Sequence, residues 1–141
     1  MGVEAPAGAS EEVMIAVASD VDVLTARTQG RALAATLGFS SSERTLIATA
    51  ISEVARNIVN YAKGGEIVLR VVRRGDRLGI VVLARDQGPG ISDIAQAMED
   101  GFSTGGSLGL GLPGSKRLMD EFELVSNFGQ GTTVTMIKWV R

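Results

Sequence analysis

Along the 141 residues the spacing of apolar side chains changes period several times, and each change marks an element. Over residues 12–18, Val13, Ile15 and Val17 alternate with Glu12, Met14 and Ala16, the two-residue period of a strand. Ser19 or Asp20 offers a cap for a helix over 21–37, whose inner face carries Leu24, Leu33, Ala34 and Leu37 and which Gly38 ends. Gly30 lies inside that helix, where glycine is unfavourable, and points to close packing against a neighbour. Ser41 or Ser42 caps a longer helix running to about residue 62. In it Leu46, Ile47, Ala50, Ile51, Val54, Ala55, Ile58 and Val59 form a stripe wide enough to pack on a sheet. Glu53 and Asn57, one turn apart, border that stripe beside Leu46, whereas Ser52, Arg56 and Lys63 point to water.

After a Gly64-Gly65 turn, residues 66–73 alternate again with Ile67, Leu69 and Val71 inward. Arg74-Gly75-Asp76 closes a hairpin into an apolar run over 78–84, making the two strands antiparallel neighbours. That run stops at Arg85-Asp86-Gln87-Gly88-Pro89-Gly90-Ile91. A short helix capped by Ser92 is expected over 92–99, and a glycine-containing loop without apolar periodicity over 100–108. Gly109-Leu110-Gly111-Leu112-Pro113-Gly114 opens a further helix that continues to about residue 121, with Pro113 tolerated in its first turn. Strands over 122–128 and 132–140, joined by Gly129-Gln130-Gly131, form a final hairpin and send Phe122 and Trp139 to the core. The pattern predicts an α/β two-layer sandwich, a mixed, mainly antiparallel sheet of about five strands covered on one face by three helices. It fills a single domain over 11–141, behind a disordered tail at 1–10.

Composition narrows the chemistry. The chain has neither cysteine nor histidine, which excludes disulfides, thiolate nucleophiles, histidine acid/base catalysis and an autophosphorylated histidine. A general base must then be a carboxylate or an amine. A net charge of −2 argues against a nucleic-acid surface. No apolar run is long enough to span a bilayer and the N-terminus lacks a signal-like start, so a cytoplasmic protein with no membrane contact is expected. Arg70, Arg73, Arg74 and Arg77 cluster at a hairpin tip, as a solvated face or a docking surface.

Two stretches carry ligand chemistry on their own terms. Asp86 ends an apolar strand ahead of Gly88 and Gly90, whose backbones can lie close to a ligand, and a carboxylate fixed there can accept from an exocyclic amine such as that of adenine. Gly109 and Gly111 precede a helix N-terminus, where bare amides and the positive end of the dipole suit phosphate oxygens.

With Ser52-Glu53-Val54-Ala55-Arg56-Asn57 and Gly129-Gln130-Gly131-Thr132-Thr133, these stretches resemble, in order and spacing, the N, G1, G2 and G3 boxes of the GHKL ATPase/kinase superfamily, which has the Bergerat fold. Within that superfamily Met98-Glu99-Asp100-Gly101-Phe102-Ser103-Thr104 and Lys116-Arg117-Leu118-Met119-Asp120-Glu121-Phe122 are similar to the RsbT-type switch serine kinases of the bacterial stressosome, in the anti-sigma factor kinase branch. The resemblance implies an ATP-dependent protein-serine kinase. Asp86 would bind the adenine amine, helped by Thr132 or Thr133 through water, with Gly88 and Gly90 close by. Asn57 would ligate Mg²⁺ and Glu53 would be the catalytic base. Residues 100–108 would form the ATP lid, and the amides around Gly109, Leu110, Gly111 and Leu112 would hold the phosphates. The implied partners are STAS-domain substrates and, in partner switching during a stress response, a PP2C-type phosphatase that the kinase activates. The alternative from a different class is an anti-sigma factor that sequesters a sigma factor and uses ATP as a conformational ligand. A homodimer is left open. Where related anti-sigma kinases place an arginine just ahead of the lid's Gly-x-Gly, this chain has Ser107 and Leu108, so that arginine's contacts are not carried over. The GxxxxGK[ST] loop and the HRD and DFG signatures are absent, which excludes P-loop and eukaryotic-type kinase mechanisms.

Overall fold

The computed structural model describes residues 12–62, 64–88, 111–127 and 130–141. Among these, the elements in chain order are β1 (Glu12–Val17), α1 (Asp20–Leu37), α2 (Ser41–Tyr61), β2 (Gly65–Arg74), β3 (Arg77–Asp86), α3 (Gly111–Leu118), β4 (Glu121–Asn127) and β5 (Gly131–Trp139). The tail at 1–10, the helix expected at 92–99, the lid at 100–108, and Gly90, Gly109 and Leu110 lie outside the described residues.

The strands form one sheet in the order β1-β2-β3-β5-β4, and all four pairings are antiparallel, so the described sheet has no parallel component. Register aligns the alternating apolar positions into rows that cross all five strands. One row is Val13, Leu69, Val82, Met136 and Phe122, and the next is Ile15, Ile67, Ala84, Val134 and Leu124. Because side chains alternate faces along a strand, both rows stand on one face, and there they pack with α1 and α2 through Val23, Ala26, Ile47, Ile51, Val54 and Ile58. Each of the larger side chains, from Val to Phe, contributes about 1.5–3 kcal/mol when fully buried, and this layer is the core that fixes the sheet's register.

Several local expectations are corrected. The inner face of α1 is Val23, Ala26, Gly30 and Ala34, while Leu24 is 59% exposed. The helices approach so closely that small residues make the contact, and a Cβ at Gly30 would collide with Ile51 Cδ1. On α2, Leu46 is 37% exposed, whereas Ser52 is buried and its hydroxyl donates to the Ala48 carbonyl. Ser40, not Ser41 or Ser42, caps α2, accepting from the Glu43 amide at 3.2 Å. Of the two caps expected for α1, Ser19 is the one used, as Asp22 reaches back to the Ala18 and Ser19 amides. Helix α3 ends at Leu118, short of residue 121, because Glu121 already pairs with Ile137 in the sheet. Trp139 is buried, but away from the helices. It lies on the other face of the sheet under the guanidinium of Arg77, 4.1 Å from the ring centroid, and that of Arg74, 4.9 Å away, and its indole N–H donates to Glu121. Arg74 and Arg77 of the basic cluster, though exposed, are therefore engaged in covering Trp139.

Candidate nucleotide site

One step beyond the apolar rows, Val17, Gly65, Asp86, Thr132 and Ser126 stand abreast on the five strands. The two-residue period places Asp86 on the helix-covered face with Ala84 and Val82, so the buried surface turns polar at this margin. Thr132 is buried there and shares a 2.9 Å hydrogen bond with Ser126. Thr133 is abreast of Arg85 and Val125 on the opposite face, so of the two candidate threonines only Thr132 is on the side of Asp86.

The Asp86 carboxylate is oriented by its own turn, Oδ1 accepting from the Gly88 amide at 2.8 Å. Among the described residues this is its single hydrogen bond, and an ionised carboxylate can accept several more. The backbone around it is crowded. Gly131, at φ 99°, presses on the Asp86 carbonyl so closely that a Cβ would overlap the oxygen. A Cβ at Gly88 would come within 2.7 Å of the Cβ of Ala62, the C-cap of α2. The acid therefore lies beneath the C-terminal end of α2.

Glu53 sits earlier on the same helix and is 8% exposed. Its Oε1 accepts from the Gly111 amide at 2.9 Å, and its Oε2 from Arg56 at 2.9 Å. Gly111 has φ 70° and is the first residue of α3, so a carboxylate occupies the amide end of that helix, where the dipole favours an anion. At 1.5 Å per residue, α2 carries the site about 13 Å from Glu53 to Ala62, with half-buried Asn57 about 6 Å along. A carboxylate with open acceptor capacity, a half-buried amide side chain and a helix N-terminus thus follow one another along one helix. Asn57 suits Mg²⁺ as a neutral oxygen ligand, since Mg²⁺ is usually held by one or two protein oxygens with phosphates and water.

The opposite end of α3 is anchored to β5 and the chain's C-terminal residue. Buried Lys138 donates to the Leu118 carbonyl at 2.9 Å and lies 4.0 Å from Asp120 Oδ1. Asp120 accepts from the Trp139 amide at 2.8 Å and from the two terminal guanidinium nitrogens of Arg141, Nη1 and Nη2. Partial burial pushes its carboxyl upward, but these hydrogen bonds and the charges of Lys138 and Arg141 outweigh it and hold the group below the ordinary carboxylate value.

Sequence reasoning missed Arg56, Ser126, Gly65 and Lys138. The three-residue spacing of Glu53 and Arg56 was a usable signal, since it makes them neighbours on a helix. The other three depend on strand register.

A five-stranded antiparallel sheet covered by helices, with this polar margin beneath α2, is the architecture of ATPase-type domains. The profile of the histidine kinase-like ATPase domain family matches residues 16–138, and the chain belongs to that family. It is 48% identical over 132 residues to the serine/threonine-protein kinase RsbT of Bacillus subtilis, covering 94% of this chain and 99% of that one. It is 36% identical over 121 residues to an anti-sigma F factor of a Thermoanaerobacter species, covering 82% and 83% of the two. Solved structures agree in fold. The RsbU and RsbW domains of a Mycobacterium tuberculosis protein superpose with a TM-score of 0.59 at 24% identity, covering 90% of this chain and 32% of that one. The mycobacterial sensor histidine kinase MprB gives 0.50 at 18% identity, covering 93% and 97%.

Proposed function

We propose that the chain is an ATP-dependent protein-serine kinase that phosphorylates STAS-domain partners in a partner-switching circuit and, when released from them, activates a PP2C-type phosphatase in the cytosol. The observation that carries this reading is the alignment along α2 of Asp86 with Gly88, Asn57, and Glu53 at the start of α3. The kinase identity of a relative 48% identical over nearly its whole length supports it.

The residues divide the work of phosphoryl transfer, which needs mostly positioning and charge neutralisation. Asp86 accepts the exocyclic amine of adenine, and Thr132 stands beside it to complete the contact through water. Asn57 would hold Mg²⁺, which neutralises charge on the phosphates when bound. The amides that open α3 receive phosphate oxygens. Glu53 takes the proton of the attacking serine hydroxyl as its oxygen bonds to the γ-phosphorus; the bond to the β–γ bridging oxygen breaks and ADP leaves. Residues 100–108 would supply the ATP lid.

A second reading is favoured by the 36% identity to anti-sigma F factors: a module that sequesters a sigma factor with ATP setting its conformation. Transfer of labelled γ-phosphate with Mg²⁺ to a STAS-domain protein separates the two. A kinase loses transfer in both Glu53→Ala and Asp86→Asn, and only Asp86→Asn loses ATP binding. Binding of ATP without transfer to any STAS-domain substrate would favour the module.

A further inference from the structure

The catalytic assignment of Glu53 sits uneasily with its contacts. A base must be free to take a proton, yet this carboxylate is buried with both oxygens engaged, one on the Gly111 amide and one on Arg56. The Gly111 amide is also among the amides that the functional reading assigns to phosphate. Two anions cannot use one N–H, and a carboxylate beside a triphosphate is repelled by it.

We infer that Glu53 is an internal competitor for the phosphate-binding end of α3, so that nucleotide binding and unmasking of the catalytic base are one event. While it holds the Gly111 amide, the carboxylate supplies the negative charge that the helix start favours, and the base is masked. When a phosphate takes the Gly111 amide, Oε1 is released while Oε2 stays on Arg56. The carboxylate then remains oriented at the same place on α2 with one oxygen open to a serine hydroxyl. The arrangement makes the order of binding ATP first and substrate second, and it withholds the base from solvent between turnovers. The partners have the chemistry for such an exchange. The Gly111 bond is a charge-assisted one that phosphate reproduces in kind, whereas Arg56 is three residues away on the same helix and need not move.

This inference rests on the nucleotide-binding reading, and its test keeps the two apart. Calorimetric titration of wild type, Glu53→Gln and Glu53→Ala with ATP, inorganic tripolyphosphate and adenosine is combined with amide hydrogen exchange at Gly111 in the nucleotide-free proteins. Removing one competing charge-assisted hydrogen bond is expected to tighten ATP and tripolyphosphate by about tenfold and leave adenosine unchanged. The Gly111 amide should exchange faster in Glu53→Ala than in wild type. Tighter triphosphate binding with unaltered Gly111 exchange would reduce the effect to simple charge repulsion and overturn the inference. So would unchanged or weaker triphosphate binding by a variant that melts cooperatively. A wild-type chain that binds no ATP would remove the functional reading itself.

Discussion

Helix α3 has a buried charged side chain at each end, the Glu53 carboxylate at Gly111 and the Lys138 ammonium at Leu118, each of the sign the helix dipole favours there. The two ends are built differently. At the C-terminal end Lys138 is backed by Asp120, which also holds the Trp139 amide and Arg141, so several groups tie the helix to β5. At the N-terminal end, among the described residues, the Gly111 amide is held by one carboxylate oxygen, steadied by Arg56, while its carbonyl accepts from the Ser115 hydroxyl. The redundant end serves the scaffold. The end whose amide meets a single carboxylate oxygen is where the chemistry is proposed.

The largest expected effect comes from the singly held end. Glu53→Gln keeps an acceptor for the Gly111 amide but removes the base, and single-turnover transfer to a STAS-domain substrate should fall by about 10²- to 10⁴-fold. Retained transfer would make Glu53 a mere helix cap and erase the functional contrast between the ends. Next comes the redundant end. Lys138→Ala leaves the Leu118 carbonyl without its partner and should lower stability by about 2 kcal/mol in thermal or urea unfolding. Glu53→Ala should cost about 1 kcal/mol, the usual loss for a helix cap. If Glu53→Ala proved the more damaging to stability, the two ends would have to exchange roles. Arg56→Ala should reduce kcat by about tenfold with little change in the KM for ATP, a loss of orientation in the transition state, and Arg56→Lys should recover part of it. An equal rise in KM would move Arg56 from positioning the base to binding nucleotide.

These contrasts were only partly legible in the sequence. Asp86 with Gly88 could be read because the turn and its acid are adjacent in the chain. The choice between Thr132 and Thr133 could not, since a one-residue change of register exchanges the two faces of a strand, and only the pairing of Asp86 with Thr132 decides it. The pairings of 66–73 with 78–84 and of the last two strands were legible from their turns, but the order of the five strands was not, since no local pattern reports that β1 lies beside β2 or β3 beside β5. Nor was the phase of α1, because the helices meet through Ala26, Gly30 and Ala34, while Leu24, which a hydrophobic pattern places inside, faces water. Glu53 and Asn57 were visible as polar neighbours on α2, but the carboxylate's partner is 58 positions away in the chain, and no local period reports such a contact.

The smallest expected effect tests whether the redundancy at the C-terminal end is electrostatic. Asp120 is held below the ordinary carboxylate value, so its folded form binds a proton less readily than its unfolded form does. The stability it contributes is then fully present above the unfolded value, about 3.9, and is lost as pH falls through the lower folded value. Asp120→Asn retains an oxygen for the Trp139 amide but loses the charge that Lys138 and Arg141 face. Its melting temperature should lie slightly below wild type at neutral pH, and the gap should close as pH drops below about 4, where wild type also loses that charge. Comparing the two proteins at each pH cancels the other carboxylates. A gap that persisted unchanged into acid would mean that the end of α3 is held by shape and neutral hydrogen bonds. Lys138 would then act chiefly as a donor to the Leu118 carbonyl, and the charge contrast between the two ends would shrink to the single carboxylate at Gly111.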